Sequence, residues 1–274
     1  MELAGRVNEI PSIETPDYKR IELDNGMVVY LAEDHELPVV EVVGYIKGGI
    51  SQESQELAGI SSIMARLMNT GTKNYSEVEL SRHKELNGLS FNLSSSFDHY
   101  NFSANSLSMD QEKLIALIAE ILRNPEFEGD YYNRIIQEYY QVLLQQFYYD
   151  SSLLNMFFTT TLYGDHPYGY SNNIGLIIAA LPRMTPAALE EFYQQTIDPA
   201  NLVMAISGDI DLEEMEELII AEFGDWESKG GERQAIKVMD DETNYKRIIL
   251  VNKEDATQAK MMLGYNFYAS GFEE

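Results

Sequence analysis

Apolar residues between Leu57 and Met68 recur at the three- and four-residue spacing of a helix that buries one face. They are Leu57, Ile60, Ile63, Met64, Leu67 and Met68. Asn69-Thr70-Gly71 follows as a glycine exit. The pattern predicts a buried helix over residues 57–68, and we expect the rest of the chain to be organised around it.

Period-2 alternation indicates strands on both sides of this helix. Asp24-Asn25-Gly26 separates two alternating segments, which predicts a hairpin with an Asn-Gly turn. Strands are predicted over residues 19–23, 27–31, 38–46 and 201–207, with two more in 89–107 about a turn near 96–98. Further helices are predicted over residues 77–85, 109–122, 130–149, 152–162, 186–195 and 212–223, with a loop over 163–169. This mixture predicts an α+β fold, in which an antiparallel sheet carries its helices on one face.

Changes in composition divide the chain into segments. Residues 1–18 have the polar character of an N-terminal arm, 19–224 form the predicted α+β domain, and 225–243 resemble a polar linker. Residues 244–274 predict two more strands, at 245–251 and 258–265, but are too short to bury a core of their own. We therefore expect them to be the start of a second, truncated domain of a longer protein.

The chain is strongly acidic, because 19 Lys and Arg are outnumbered by 45 Asp and Glu, and its net charge is −26. This charge argues against nucleic acid or an anionic membrane as the main partner, since both need a basic surface. The absence of Cys excludes disulfides, thiolate metal sites and a Cys nucleophile. No apolar run has the length that a transmembrane helix needs.

The order of several short motifs resembles the peptidase M16 family, zinc metallopeptidases that carry the inverted motif His-x-x-Glu-His. These motifs are Asp24-Asn25-Gly26-Met27-Val28-Val29-Tyr30-Leu31, Ala58-Gly59-Ile60, Gly71-Thr72, Gly88-Leu89-Ser90-Phe91-Asn92, His166-Pro167-Tyr168-Gly169, Pro199-Ala200-Asn201-Leu202-Val203 and Gly208-Asp209-Ile210. Each motif is weak alone, but their order and spacing together are specific. The resemblance covers nearly the whole chain from about Tyr18, and it implies one half of an M16-like fold followed by the first strands of a second half.

The zinc motif itself is replaced in this chain. Read position by position, the resemblance puts the first motif His at Ser62, the Glu at Ala65 and the second His at Arg66. The family's third ligand, a Glu on a later helix, falls at Leu143, and a slip of a few residues would bring in Glu138 instead. None of the four aligned positions keeps the residue type that the resemblance implies.

These replacements remove conventional zinc chemistry. A base that activates zinc-bound water must be a carboxylate, and Ala65 cannot take a proton. Ser62 is a poor zinc ligand, and the permanently charged Arg66 would repel a dication. The chain has 4 His, and no two of them are three to five residues apart. We therefore predict no catalytic residue, no metal and no cofactor, although zinc is expected in the family.

Two features near the replaced motif each have a functional and an ordinary interpretation. Arg66 either places a fixed charge where zinc would have been, paired with an acid such as Glu138, or is a surface Arg whose stem packs while its head reaches water. A later strand matches the edge strand on which the family lays its substrate by strand addition, or is an ordinary edge strand protected by its serines. The predicted substrate-binding residues on it are Phe91, Asn92, Leu93, Ser94 and Ser95.

The resemblance implies a non-catalytic family member that acts as the partner subunit of a heterodimeric zinc peptidase. Such a subunit would supply chamber wall and peptide contacts to a zinc-bearing M16 subunit. One alternative is a stand-alone peptide-binding or scaffold protein, and another is a metalloendopeptidase with an unconventional site. A bacterial source fits the compact two-half plan, and we favour a periplasmic over a cytoplasmic location.

Overall fold

The computed structural model describes residues 17–230, 248–254 and 257–265. Its first element is the predicted hairpin, in which Lys19–Glu22 (β1) pairs antiparallel with Val28–Glu33 (β2). Gly26 in the connecting turn has φ of 86°, a left-handed conformation that glycine adopts without a Cβ penalty. The Asn-Gly sequence therefore folds locally as predicted.

Six strands form one sheet in the order β1-β2-β6-β3-β5-β4. The remaining strands are Val39–Lys47 (β3), Ser90–Ser95 (β4), His99–Leu107 (β5) and Leu202–Gly208 (β6). Every pair is antiparallel except β2 with β6, which run parallel. The α+β prediction is confirmed, with one parallel pair because β6 returns from a long helical connection and inserts between β2 and β3.

Helices cover one face of this sheet. They are Ile60–Met68 (α1), Glu77–Asn87 (α2), Gln111–Arg123 (α3), Tyr131–Gln146 (α4), Asp150–Tyr163 (α5), Pro167–Tyr170 (α6), Ile174–Ala180 (α7), Pro186–Thr196 (α8) and Leu212–Phe223 (α9). The sheet side chains beneath them are buried, among them Val42, Phe102 and Met204, whereas Tyr45 on the other face is 53% exposed. Within the described residues, no helix combines the length and the apolar character that crossing a membrane requires.

The structure departs from the predicted elements near residues 57, 163 and 174. The central helix begins at Ile60 rather than at residue 57, because Gly59 has φ of 93° and separates α1 from a 3₁₀ turn at Gln55–Leu57. The predicted loop over residues 163–169 contains the start of α6, whose N-cap is His166. Helix α7, with Asn173 as its N-cap, was not predicted from its short apolar run.

The predicted N-terminal arm, linker and second domain fall partly outside the described residues, which omit 1–16, 231–247, 255–256 and 266–274. Residues 225–230 pack against the sheet domain: Trp226 is buried, and the Asn25 side chain donates to its carbonyl oxygen at 2.9 Å. The predicted strands at 245–251 and 258–265 are wrong for their described parts, which have no strand structure. A strand needs a neighbouring main chain to pair with, and here Leu250 is 92% exposed instead.

The buried carboxylate of Glu53 fixes the start of α1. It accepts hydrogen bonds from the backbone N–H groups of Gly59 at 2.7 Å and Ser61 at 3.0 Å, and from the Ser61 hydroxyl. The first N–H groups of a helix have no partner within the helix, and the Glu53 side chain supplies acceptors for two N–H groups at this helix start. The Tyr170 hydroxyl donates to the main-chain oxygen of Glu53, which ties α6 to the same segment.

Burial raises the pKa of Glu53 from 4.5 to about 7, although its three hydrogen bonds act in the opposite direction. A carboxyl whose pKa is higher in the folded state stabilises the fold most when it is protonated in both states. Its contribution is therefore complete below the unfolded pKa and is lost as the pH rises through the folded pKa.

We predict that the free energy of unfolding falls by on the order of 3 kcal/mol between about pH 4 and pH 8 because of Glu53 alone. Glu53→Gln cannot titrate, so its free energy of unfolding should lack this part of the pH dependence. Its changed hydrogen bonds should shift the free energy of unfolding by the same amount at every pH. Urea unfolding of both proteins across this pH range measures the difference. Glu56→Gln, which removes an exposed carboxylate three residues away, is the control and should follow the wild type. Parallel curves for Glu53→Gln and wild type would contradict the prediction.

Candidate functional site

The three positions of α1 that the resemblance aligns with the zinc motif lie on the helix that packs against α4. Ser62 is half-buried, Ala65 is buried, and the Arg66 side chain is exposed. The guanidinium carbon of Arg66 lies 5.2 Å from the ring centroid of Tyr139, which is a cation–π geometry. The interpretation of Arg66 as a surface residue is therefore supported, with its head lying on an aromatic ring of α4.

Helix α4 presents Tyr139 and Leu143, one turn apart, to this contact. Leu143 is 1% exposed, so the position aligned with the family's third ligand is a packed apolar side chain. Glu138, the alternative ligand, is exposed and accepts from Arg134 at 3.0 Å, and Arg134 also bonds Glu77. The suggested pairing of Glu138 with Arg66 is wrong, because the carboxylate is held by Arg134 on the same helix.

The phenol of Tyr139 is the polar group at the centre of this contact. Burial raises its pKa, and Glu53 raises it further, whereas the Ser62 hydroxyl and the Arg66 charge act in the opposite direction. The phenol therefore remains protonated at neutral pH. It can donate or accept a hydrogen bond, but it is not a base strong enough to activate a water.

The aligned residues do not suit zinc, which takes Cys, His, Asp or Glu ligands. The α1–α4 contact instead offers a hydroxyl, a methyl, a guanidinium, an isobutyl group and a neutral phenol. In residues 17–230 and the two short C-terminal stretches that the structure describes, no three His, Asp or Glu side chains are grouped closely enough to hold an ion. No step of a metal-dependent reaction can be derived from these residues.

The predicted substrate-binding residues form β4, which pairs with β5 and lies at the edge of the sheet. Phe91 and Leu93 turn their side chains into the core, and Asn92 is exposed. The Ser94 hydroxyl accepts from the side chain of Asn101 at 2.7 Å. The Ser95 hydroxyl donates to that of Ser61 on α1 at 2.9 Å, which links the edge strand to the replaced motif helix.

Asn69 at the end of α1 makes a second link to β4. Its side-chain nitrogen donates to the main-chain oxygen of Leu93 at 2.7 Å, and its side-chain oxygen accepts from the Leu93 N–H at 2.8 Å. The same nitrogen also donates to the Ala65 carbonyl oxygen at 2.7 Å. From the sequence, Asn69 is only part of the helix exit, and Glu53 carries no signal at all. The hydrogen bonds of Asn69 to Leu93 and of Glu53 to α1 do not follow from the periodicity of apolar residues.

His166 has a structural role at the start of α6. It is buried, and its Nδ1 accepts from the Tyr168 N–H at 3.2 Å as the N-cap of α6. The ring of Tyr168 lies 4.6 Å from that of His166. This histidine therefore orders the start of α6.

Curated relatives of this chain carry both peptidase and non-peptidase names. It is 24% identical over 263 residues to an uncharacterized zinc protease of Mycobacterium bovis, covering 93% of this chain and 58% of that protein. It is 25% identical over 217 residues to cytochrome b-c1 complex subunit 1 of Bos taurus mitochondria, covering 76% of this chain and 43% of the subunit. A non-peptidase homolog of Helicobacter pylori is 24% identical over 119 residues, covering 43% of this chain and 27% of that protein. The chain thus spans about half the length, or less, of these relatives.

Two solved structures share the fold. One is titled a peptidase M16 inactive domain from Pseudomonas fluorescens, with a TM-score of 0.73, 23% identity, and coverage of 81% of this chain and 53% of that one. The other is titled a protease from Helicobacter pylori, with a TM-score of 0.70, 22% identity, and coverage of 82% and 54%.

Two family models match the sequence in consecutive order. Residues 28–172, which include β2 to α6 and all the replaced motif positions, match the model described as Insulinase (Peptidase family M16). Residues 183–274 match the model described as Peptidase M16 inactive domain. The sheet, the order of its elements and both matches agree, and the chain belongs to the peptidase M16 family.

Proposed function

We propose that this chain is part of a non-catalytic M16 subunit that assembles with a zinc-bearing family member into a heterodimeric peptidase. It contributes chamber wall and binds peptide along β4. One feature carries the proposal: the family fold is present around α1, while the positions that the resemblance aligns with the zinc motif hold Ser62, Ala65, Arg66 and Leu143, which do not suit zinc hydrolysis. Such a chain would have the fold of its family without the residues that hydrolyse peptides.

The geometry of the α1–α4 contact supports a lost activity. Ala65 and Leu143 are buried, so two of the four aligned positions are packed apolar side chains. The Arg66–Tyr139 stack closes the exposed side of the same contact. The helix is held by packing and by Glu53, neither of which depends on a metal ion.

A scaffold role is the second candidate. It is supported by the similarity to a subunit of the cytochrome b-c1 complex and to a non-peptidase homolog, both named for something other than peptide cleavage. Peptide binding by the longest form of the protein that its gene encodes, without any partner, would favour this candidate over the heterodimer.

We predict that the purified protein holds fewer than about 0.1 zinc ions per chain after incubation with equimolar zinc, because its donor set does not suit the ion. Elemental analysis after desalting measures this. Stoichiometric zinc would instead favour a metalloendopeptidase with an unconventional site, which the name of the mycobacterial relative leaves as a third candidate.

A variant that restores the family's residues provides the positive control for the zinc measurement. It combines Ser62→His, Ala65→Glu, Arg66→His and Leu143→Glu. If the positions are aligned correctly, it should gain zinc binding. Restored ligands that fold but bind no zinc would contradict the assignment of these four positions.

We also predict that the longest form of the protein co-purifies with a family member from the same source that keeps His-x-x-Glu-His. The complex should cleave unstructured peptides at least about tenfold faster than that partner alone, since the second subunit supplies binding and orientation. A partner whose motif Glu is changed to Gln is the control and should form the complex without cleaving. If the protein neither binds such a partner nor alters its rate, the heterodimer proposal fails.

A further inference from the structure

The main chain of β4 presents alternate residues to the free edge of the sheet. Ser96 donates its N–H to the His99 oxygen at 2.8 Å, which places the even-numbered residues of this strand in hydrogen-bonded pairs with β5. The N–H and C=O groups of Phe91, Leu93 and Ser95 therefore point away from β5. A peptide that added to this edge would pair with these three residues, and Leu93 is the central one.

The central position is already occupied by a side chain. The Asn69 carboxamide donates to the Leu93 oxygen and accepts from the Leu93 N–H, at 2.7 and 2.8 Å. One residue of an added strand would offer Leu93 one N–H and one C=O, from the two peptide bonds that flank its Cα. The Asn69 carboxamide supplies the same number of donors and acceptors to the same Leu93 groups. An incoming peptide and Asn69 cannot hold the Leu93 groups at the same time.

We propose that Asn69 is an internal competitor for the peptide site on β4, and that a peptide docks there only when the Asn69 side chain turns away. This inference rests on the proposed peptide-binding role of β4 and adds the residue that controls access to it. Asn69 follows the last residue of α1 and is half-buried, so part of its surface faces solvent. Its two bonds to Leu93 and its bond to the Ala65 oxygen set the cost of opening.

The competition predicts a direction for substitutions at this position. Asn69→Ala removes the competitor and leaves the Leu93 N–H and C=O free to pair with a peptide. Each hydrogen bond contributes on the order of 1 kcal/mol net, so peptide affinity should rise about tenfold or more. An unchanged affinity would mean that a peptide does not need the Leu93 groups.

The chain offers a matched control in Asn87, which is also at the end of a helix. Its side-chain nitrogen donates to the carbonyl oxygen four residues earlier, that of His83, at 2.8 Å, as Asn69 does to Ala65. Its side-chain oxygen accepts from Lys113, and neither bond involves β4. Asn87→Ala therefore reproduces the loss of a helix-terminal Asn without opening the edge strand.

The experiment measures fluorescence anisotropy with a labelled decapeptide of alternating Val and Thr that ends in Lys on both sides. A second decapeptide has Pro at every other position, which removes the N–H groups that strand pairing needs. Hydrogen exchange of the Leu93 amide, compared with that of Ser94, verifies in each folded variant whether the edge is open. All measurements use the complete chain.

We expect Asn69→Ala to bind the Val-Thr peptide about tenfold or more tightly than wild type and Asn87→Ala. The Pro peptide should bind none of the three, and Leu93 should exchange faster only in Asn69→Ala. Equal affinity of Asn69→Ala and wild type for the Val-Thr peptide, with no Pro-peptide binding, overturns the competition but keeps peptide binding on β4. Absence of Val-Thr binding in all three proteins overturns the competition and the proposed peptide role of β4 together.

Discussion

The buried carboxylate of Glu53 is the interaction on which the position of α1 depends. Its oxygens accept hydrogen bonds from the Gly59 and Ser61 N–H groups at the helix start and from the Ser61 hydroxyl. An unpaired N–H buried at this place would cost about as much as a lost hydrogen bond. The helix therefore keeps its place against α4 and β4 by means that require no metal ion, which allows the motif positions to change while the fold persists.

Two different contacts follow from that placement of α1. On one side Ala65 packs in the core, and Arg66 lies on the Tyr139 ring beside the buried Leu143. On the other side Asn69 reaches the edge strand at Leu93. The first contact leaves no ligand set for zinc. The second contact involves β4, the strand that we propose binds peptide, so the proposed loss of hydrolysis does not require the loss of binding.

Much of the fold could be predicted from the sequence because its signals are local. The Asn-Gly hairpin, the capping Ser76 of α2, Pro186 at the start of α8 and the alternation of β4 and β5 each depend on neighbouring residues. The start of α1 was placed three residues early, since the left-handed Gly59 is compatible with the same apolar spacing. The predicted strands beyond residue 244 lacked a partner in the described residues, and no local pattern reveals whether a strand has a neighbour.

The candidate site could be located from the sequence but not described by it. The resemblance indicated which positions had lost their ligands, whereas the contacts that replaced them join residues far apart in the chain: Arg66 with Tyr139, Glu53 with Ser61, and Asn69 with Leu93. The Asn69 carboxamide, which is bonded to the main chain of the edge strand β4, also limits unwanted strand pairing. An open row of N–H and C=O groups would invite such pairing. While its side chain is in place, Asn69 therefore protects the edge of the sheet. The edge would open to a ligand that binds the Leu93 N–H and C=O groups more tightly than the carboxamide does.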